Sequence, residues 1–233
     1  MSGGGDRPEV TAVVPVYRCG DCLDALHARL ARALARAARS HEILFVDDAS
    51  PDGSGAVLAR IAAADPAVRV LVHPRNLGQH PAIATGAAAA RGDLVAVLDG
   101  DLEDPPEALE RMIPLAREAR CVVAGDPERA PRGWRGAASR AGSRVAGWIR
   151  GRPLGRARSA FSVAPREAVA ALLAGPHRGR TWLVGLESSG LPVRPFPYRK
   201  GTRPAGRSAY GPLRLARFAW DLALSSVAQR RRS

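Results

Sequence analysis

The stretch DLVAVLDGDLEDPPE, residues 93–107, joins a short apolar run to a string of carboxylates and then to two prolines. So short an apolar run, bounded by polar residues, reads as a buried strand, and Pro105-Pro106 suits the first turn of a following helix. The same grammar repeats outward. VTAVVPVY (10–17) precedes a helical spacing over 22–38, and EILFVD (42–47) precedes the turn signal SPDG and a helix over 55–63. AVRVLVH (67–73) precedes an Ala-rich helix from about His80 to Ala90, and RCVVAG (120–125) follows the helix that starts after Pro106. Continuous apolar strands alternating with helices predict an α/β fold: a mostly parallel central sheet with helices on both faces.

From about Pro127 the pattern changes. Residues 127–160 are rich in Arg, Gly and Pro, with one helical stretch around Trp134–Ile149. A strand-like FSVA (161–164), a helix near Arg166–Leu173, a strand near Val193–Tyr198 and a last helix from about Leu213 follow. This half does not repeat the strand–helix alternation, so it reads as an Arg-rich C-terminal elaboration on one domain of the 233-residue chain.

Charge narrows the partners without choosing one. Lys and Arg number 35 against 22 Asp and Glu, a net charge of +13, and Lys200 is the sole lysine. Guanidinium forks suit phosphates, whether of nucleic acid, anionic lipid or a phosphorylated substrate. No apolar run approaches the length of a membrane span, and MSGGGDRPE has no apolar core of a signal peptide. Cys19, Cys22 and Cys121 cannot build a disulfide framework, which fits a reducing cytoplasm. Cys19-Gly-Asp-Cys22 lacks the second pair a zinc site needs and reads as two small residues in a tight turn.

The acids sit where ligands bind in open α/β sheets, beyond the carboxyl ends of strands. Asp47-Asp48 close the second strand, and Asp99-Gly100-Asp101 close the fourth. The first turn, YRCGDC, is not a dinucleotide fingerprint, and no P-loop occurs. A phosphorylated ligand among such carboxylates needs a divalent cation between them, and hard oxygen donors suit Mg2+ or Mn2+. In an extended segment, alternate residues point the same way at about 6–7 Å spacing. Asp99 and Asp101 can then converge on one ion, with Glu103 on the same side if the chain stays extended.

At this point the chain resembles a known family. VVPVY, FVDDASPDGS, NLGQHPAIATGAAAARGD and LDGDLEDPPE are similar, in order and spacing, to signatures of family 2 glycosyltransferases with the GT-A (Rossmann-like) fold. The nearest resemblance is to polyprenyl-phosphate sugar transferases, including those acting on dolichol phosphate. It covers about residues 10–126 strongly, and continues faintly as Arg135-x-x-x-Ser139 and RPAGRSAY (203–210). The resemblance implies that Pro15, Tyr17 and Asp47-Asp48 hold the nucleotide, and that Asp99 and Asp101 bind the metal on the donor diphosphate. Glu103, where the family usually has Gln, would be a third metal ligand. It implies phosphate contacts for Arg135 and Ser139, and donor-diphosphate contacts for Arg203 and Ser208. Three segments depart from the family pattern: RCGDC at 18–22, RARSAFSV at 156–163, and Ala209 in place of Lys. On this reading 1–9 is a disordered lead-in and 10–212 the GT-A domain. Its nucleotide-sugar half is 10–126 and its acceptor half 127–212, and 213–233 is an amphipathic basic helix.

The missing base separates acceptors. Glu187 is the sole acid between Glu167 and Asp221, and no Asp adjoins it. A phosphomonoester acceptor is largely ionised at neutral pH and needs cationic positioning more than a base. Arg129, Arg132, Arg135, Arg140 and Arg144 are candidates for that work. The expected activity is thus inverting, metal-dependent sugar transfer from a UDP- or GDP-linked donor to a polyprenyl phosphate. The expected location is the cytoplasm, peripheral at the membrane surface, where a membrane-anchored protein could serve as a partner. The alternatives are the same catalyst acting on a soluble acceptor, and a nucleic-acid-binding protein. The last is disfavoured by acids on the ligand edge and by the lack of any nucleic-acid motif.

Overall fold

A computed structural model describes residues 7–128, 160–175 and 182–201 of the chain. All belong to the unit formed by Met1–Glu128 and Ala157–Ala205; a second unit, Arg129–Arg156 with Gly206–Ser233, lies outside the described residues. The stretches expected as a helix at Trp134–Ile149 and from Leu213 therefore lie outside them too.

The first half runs β1 (Val10–Val16), α1 (Leu23–Ala37), β2 (His41–Asp47), α2 (Ser54–Ala64), β3 (Val68–Val72), α3 (Gln79–Ala89), β4 (Leu94–Val97), α4 (Leu109–Ala119) and β5 (Val122–Pro127). The second adds β6 (Ser162–Pro165), α5 (Arg166–Ala174), α6 (Trp182–Glu187) and β7 (Val193–Tyr198). Together the strands make one seven-stranded sheet in the order β3-β2-β1-β4-β6-β5-β7.

β1 pairs in parallel with both β2 and β4, and β2 with β3, as the strand–helix alternation predicts. β6 departs from it. It enters between β4 and β5, antiparallel to both, with Val97 opposite Ser162 and Val123 opposite Val163. β5 therefore does not pair with β4 but carries β7, in parallel, on its other side.

The period of two along each strand divides two cores. In β1, Val10, Ala12, Val14 and Val16 join the core shared with α1, α2 and α4, while Val13 faces the core under α3, α5 and α6. Gly86 lets α3 sit on the sheet: a Cβ there would lie 2.4 Å from Val13 Cγ1. α6, which sequence periodicity did not single out, is fixed by buried Trp182, whose indole N–H donates to Ser162 Oγ at 2.9 Å.

Candidate active site

β1, β2 and β4 end side by side, and the loops that leave them do so through unusual backbone. Arg18 (φ 58°), Ala49 (φ 55°) and Leu102 (φ 66°) are left-handed without being glycine. Such a conformation costs roughly 1–2 kcal/mol for an L-residue, and all three lie on the sheet's carboxyl edge. Among the described residues the fourth of this kind, Arg120 (φ 44°), ends α4 just before β5, so three of the four gather on the edge where ligands bind in such sheets.

The first two loops hold each other. The Arg18 N–H donates to Ser50 Oγ (3.3 Å), the Gly20 N–H to Asp52 Oδ2 (3.2 Å) and the Asp48 N–H to Val16 O (2.9 Å). Burial works against the Asp52 carboxylate, yet the Ser54 hydroxyl and the Gly20 and Ser54 N–H donors hold its pKa below the usual range. Tyr17 is half-buried, with the Arg18 guanidinium 5.4 Å from its ring centroid. Pro15 is buried in β1 opposite Val46, beyond the last β4 pairing, so its missing N–H deprives no strand. Cys19 and Cys22 are buried in the short turn between β1 and α1, the Cys22 N–H donating to Cys19 O at 2.8 Å.

Asp47 and Asp48 differ in use. Asp47 Oδ1 accepts the Ser50 N–H at 3.0 Å. Asp48 is saturated by the protein: Oδ1 bonds His73 Nδ1 (2.8 Å) and the Leu77 N–H (2.8 Å), and Oδ2 the Gly78 N–H (2.7 Å). The loop from His73 to Gly78 is thereby tied to the end of β2, which delivers Gln79, at the start of α3, to Asp99. Both carboxylates are buried, but Asp48 takes more hydrogen bonds from the protein's side chains and backbone than Asp47 does.

The acid loop after β4 is the centre of the edge. Asp99 Oδ1 accepts Gln79 Nε2 at 2.5 Å, and the Asp99 N–H donates to Asp104 Oδ2 at 3.3 Å. Burial, then the charges of Asp104 and Asp101, push the Asp99 carboxyl up to about 7, against the opposing pull of Lys200 and Gln79. Asp104 is fully buried, accepts the Tyr198 hydroxyl at 2.6 Å, and is also raised, burial outweighing that bond. Glu42, at the opposite edge, shows what a compensated buried acid looks like: it takes Thr11 Oγ1 (2.7 Å), the Arg91 N–H (2.8 Å) and Arg69 Nη1 (2.9 Å). Burial alone would raise its pKa, but these donors hold it low.

Glu103 corrects an expectation. The chain does not stay extended through the acids; it turns at Leu102, and Asp101 Oδ1 accepts the Glu103 N–H at 3.1 Å. The Glu103 carboxylate instead meets Lys200 Nζ at 2.7 Å. Among the described residues no three His, Cys, Asp or Glu side chains group to hold a metal. The donor set still fits Mg2+ or Mn2+: Asp99 and Asp101 are hard oxygen donors two residues apart on the carboxyl end of β4, burial and neighbouring carboxylates work against the Asp99 charge, and such ions commonly take one or two carboxylates plus substrate phosphates. His80, next to Gln79 in the chain, keeps a buried Nδ1 with no partner among the described residues, and burial pushes its imidazole below the usual range.

Arg135, Ser139, Arg203 and Ser208, and the Arg129, Arg132, Arg140 and Arg144 group, lie outside the described residues. Sequence reasoning missed Gln79, His73, Asp104, Tyr198 and Lys200. Lys200 carried a signal, as the sole lysine; Tyr198 carried none, since its partner lies 94 residues away.

Comparison with known proteins places this geometry. The model of the family described as glycosyl transferase family 2 matches residues 11–160. An undecaprenyl-phosphate 4-deoxy-4-formamido-L-arabinose transferase from Edwardsiella ictaluri is 32% identical over 219 residues, covering 91% of this chain and 66% of its own. The chain thus spans about two thirds of that relative's length. Two solved structures share the fold. Mannosyl-3-phosphoglycerate synthase from Rubrobacter xylanophilus has a TM-score of 0.63 at 18% identity, covering 96% of this chain and 74% of its own. The mannosyltransferase PcManGT from Pyrobaculum calidifontis, in complex with GDP-Man and Mn2+, has 0.61 at 18%, covering 98% and 66%. The sheet is that of the GT-A fold.

Proposed function

Since the chain belongs to glycosyl transferase family 2, we propose that it moves a sugar, with inversion, from a nucleotide-diphosphate donor to a polyprenyl phosphate. The observation that supports the transferase reading is the acid loop: Asp99 and Asp101 stand on the carboxyl end of β4, where burial and neighbouring carboxylates push the Asp99 carboxyl up to about 7. The acceptor reading is supported by the Edwardsiella ictaluri relative, an undecaprenyl-phosphate transferase matched along 91% of this chain.

The residues divide the work. Tyr17 and Asp47 would seat the base and ribose against Pro15, with Asp48 bracing the wall. Asp99 and Asp101 would hold a divalent cation, Mg2+ or Mn2+, which supplies Lewis-acid neutralisation of the leaving diphosphate. Gln79 orients the Asp99 carboxylate through its 2.5 Å hydrogen bond, and Tyr198 anchors Asp104 beneath the loop. In-line attack opposite the diphosphate inverts the anomeric carbon. The acceptor phosphate arrives ionised, so no strong base is required of Glu187, which is exposed at the end of α6. Phosphate contacts fall to Arg135, Ser139, Arg203 and Ser208 in this reading.

A polyprenyl acceptor requires a visit to the membrane. Among the described residues no helix is long and apolar enough to cross one. The basic C-terminal stretch, or a membrane-anchored protein partner, would supply that contact at the cytoplasmic face. The test is nucleotide release from a panel of UDP- and GDP-sugars with and without undecaprenyl phosphate. Release that depends on the lipid phosphate is expected. Release driven equally by soluble acceptors would move the reading to a soluble substrate, and no release with any donor would overturn it.

A further inference from the structure

From the last residue of β7 onward the chain is fastened along the acid loop at three points. The Tyr198 hydroxyl donates to Asp104 Oδ1 (2.6 Å), Lys200 Nζ to Glu103 Oε2 (2.7 Å), and the Gly201 N–H to Glu103 O (2.8 Å). A Cβ on Gly201 would come within 2.6 Å of Leu102 O, so glycine is what permits this approach. Burial works against the Lys200 ammonium. The bond and charge of Glu103, with the charges of Asp104 and Asp99, outweigh it and hold its pKa above the usual lysine range.

Four carboxyl groups occupy residues 99–104, and a diphosphate donor brings more negative charge to the same place. We propose that Lys200 is a positioning residue that keeps Glu103 out of the divalent-cation seat. Asp99 and Asp101 then hold the ion by themselves, and the loop meets the diphosphate with one negative charge balanced in advance. The inference rests on the transferase reading above, and it assigns to Glu103 and Lys200 together a role that neither has alone. Loss of Lys200 has two consequences of opposite sign. A cation gains a carboxylate and loses a like-charged neighbour, while an anionic diphosphate loses an attractive charge.

The test uses the full chain and two separate probes: Mn2+ alone, followed by the loss of its free-ion EPR signal, and UDP or GDP in EDTA, followed by calorimetry. Lys200→Met should bind Mn2+ about tenfold tighter and the nucleoside diphosphate about tenfold more weakly, the order expected for one charge a few ångströms away in a partly screened site. Adding Glu103→Gln should return both affinities to within about twofold of wild type. Lys200→Arg, which keeps the charge, should bind both probes as wild type does, and Lys200→Gln gives the same readout as Met if the apolar variant fails to fold. A merely structural lysine would weaken both probes together. That result, an unchanged Mn2+ affinity, or a failure of Glu103→Gln to reverse the effect would overturn the inference while leaving the transferase reading intact. A wild-type chain that binds neither Mn2+ nor a nucleoside diphosphate would overturn both.

Discussion

Asp99→Asn is expected to stabilise the metal-free protein while abolishing transfer. The Asn side chain keeps an acceptor for Gln79 Nε2 and removes the ionisable group. In the folded chain the Asp99 carboxyl is raised from 3.8 to about 7. Below pH 3.8 it is protonated whether the chain is folded or not, and costs nothing. As pH rises, the unfolded chain loses the proton first, so wild-type stability falls through this window and levels off above about 7. At about 1.4 kcal/mol per tenfold change in proton affinity, the rise from 3.8 to about 7 makes a ceiling of about 4 kcal/mol at pH 8. It is a ceiling because Asp99 keeps some solvent access. At pH 5 the same arithmetic leaves about 1.5 kcal/mol. Urea unfolding in EDTA at pH 4, 5, 6, 7 and 8, wild type beside Asp99→Asn, reads the difference directly. Saturating Mn2+ should then stabilise the wild type far more than the variant. A stability difference independent of pH, or a variant less stable than wild type at pH 8, would refute the view that burial and neighbouring carboxylates make the Asp99 charge costly until a cation neutralises it.

Asp101→Ala should abolish turnover and weaken donor binding while costing about 1 kcal/mol of stability, the worth of its bond to the Glu103 N–H; full activity in the variant, or in wild type under excess EDTA, would exclude the metal role. Glu187→Gln should lower turnover by less than about tenfold, because general bases typically contribute 10²–10⁴-fold; a larger loss in folded protein would point to a hydroxyl acceptor. Asp48→Ala strips the partner from His73, Leu77 and Gly78 and should cost on the order of 3 kcal/mol or more in urea unfolding. A fully stable variant that no longer binds donor would make Asp48 a ligand residue instead. Truncation after Pro212 removes Arg214, Arg217 and Arg230–Arg232 and should end salt-sensitive binding to anionic liposomes, each surface Arg being worth about 1 kcal/mol. A full-length chain that ignores such liposomes at low salt would remove the peripheral-membrane reading.

The strands of the first half, their parallel direction and the acids at their ends were all legible in the amino-acid sequence. Each rests on local chemistry: apolar runs that must be buried on two faces, turn signals between them, and the rule that ligands meet the carboxyl edge. Asp99 and Asp101 could be singled out because they directly follow an apolar run. The tertiary structure alone decided the rest. β6 inserts antiparallel between β4 and β5, and its partners in β4, from Val97 opposite Ser162 to Leu94 opposite Pro165, are too far apart in the chain for any local pattern to encode. Left-handed Leu102 turns Glu103 away from the direction an extended chain would give it, and Lys200 meets it from 97 residues further on. Asp48 reads in sequence like Asp47, but the backbone N–H groups of Leu77 and Gly78 claim it. Spacing in the chain shows which side chains share an edge; which carboxylates remain for a ligand depends on donors brought from distant segments, and only folding brings them there.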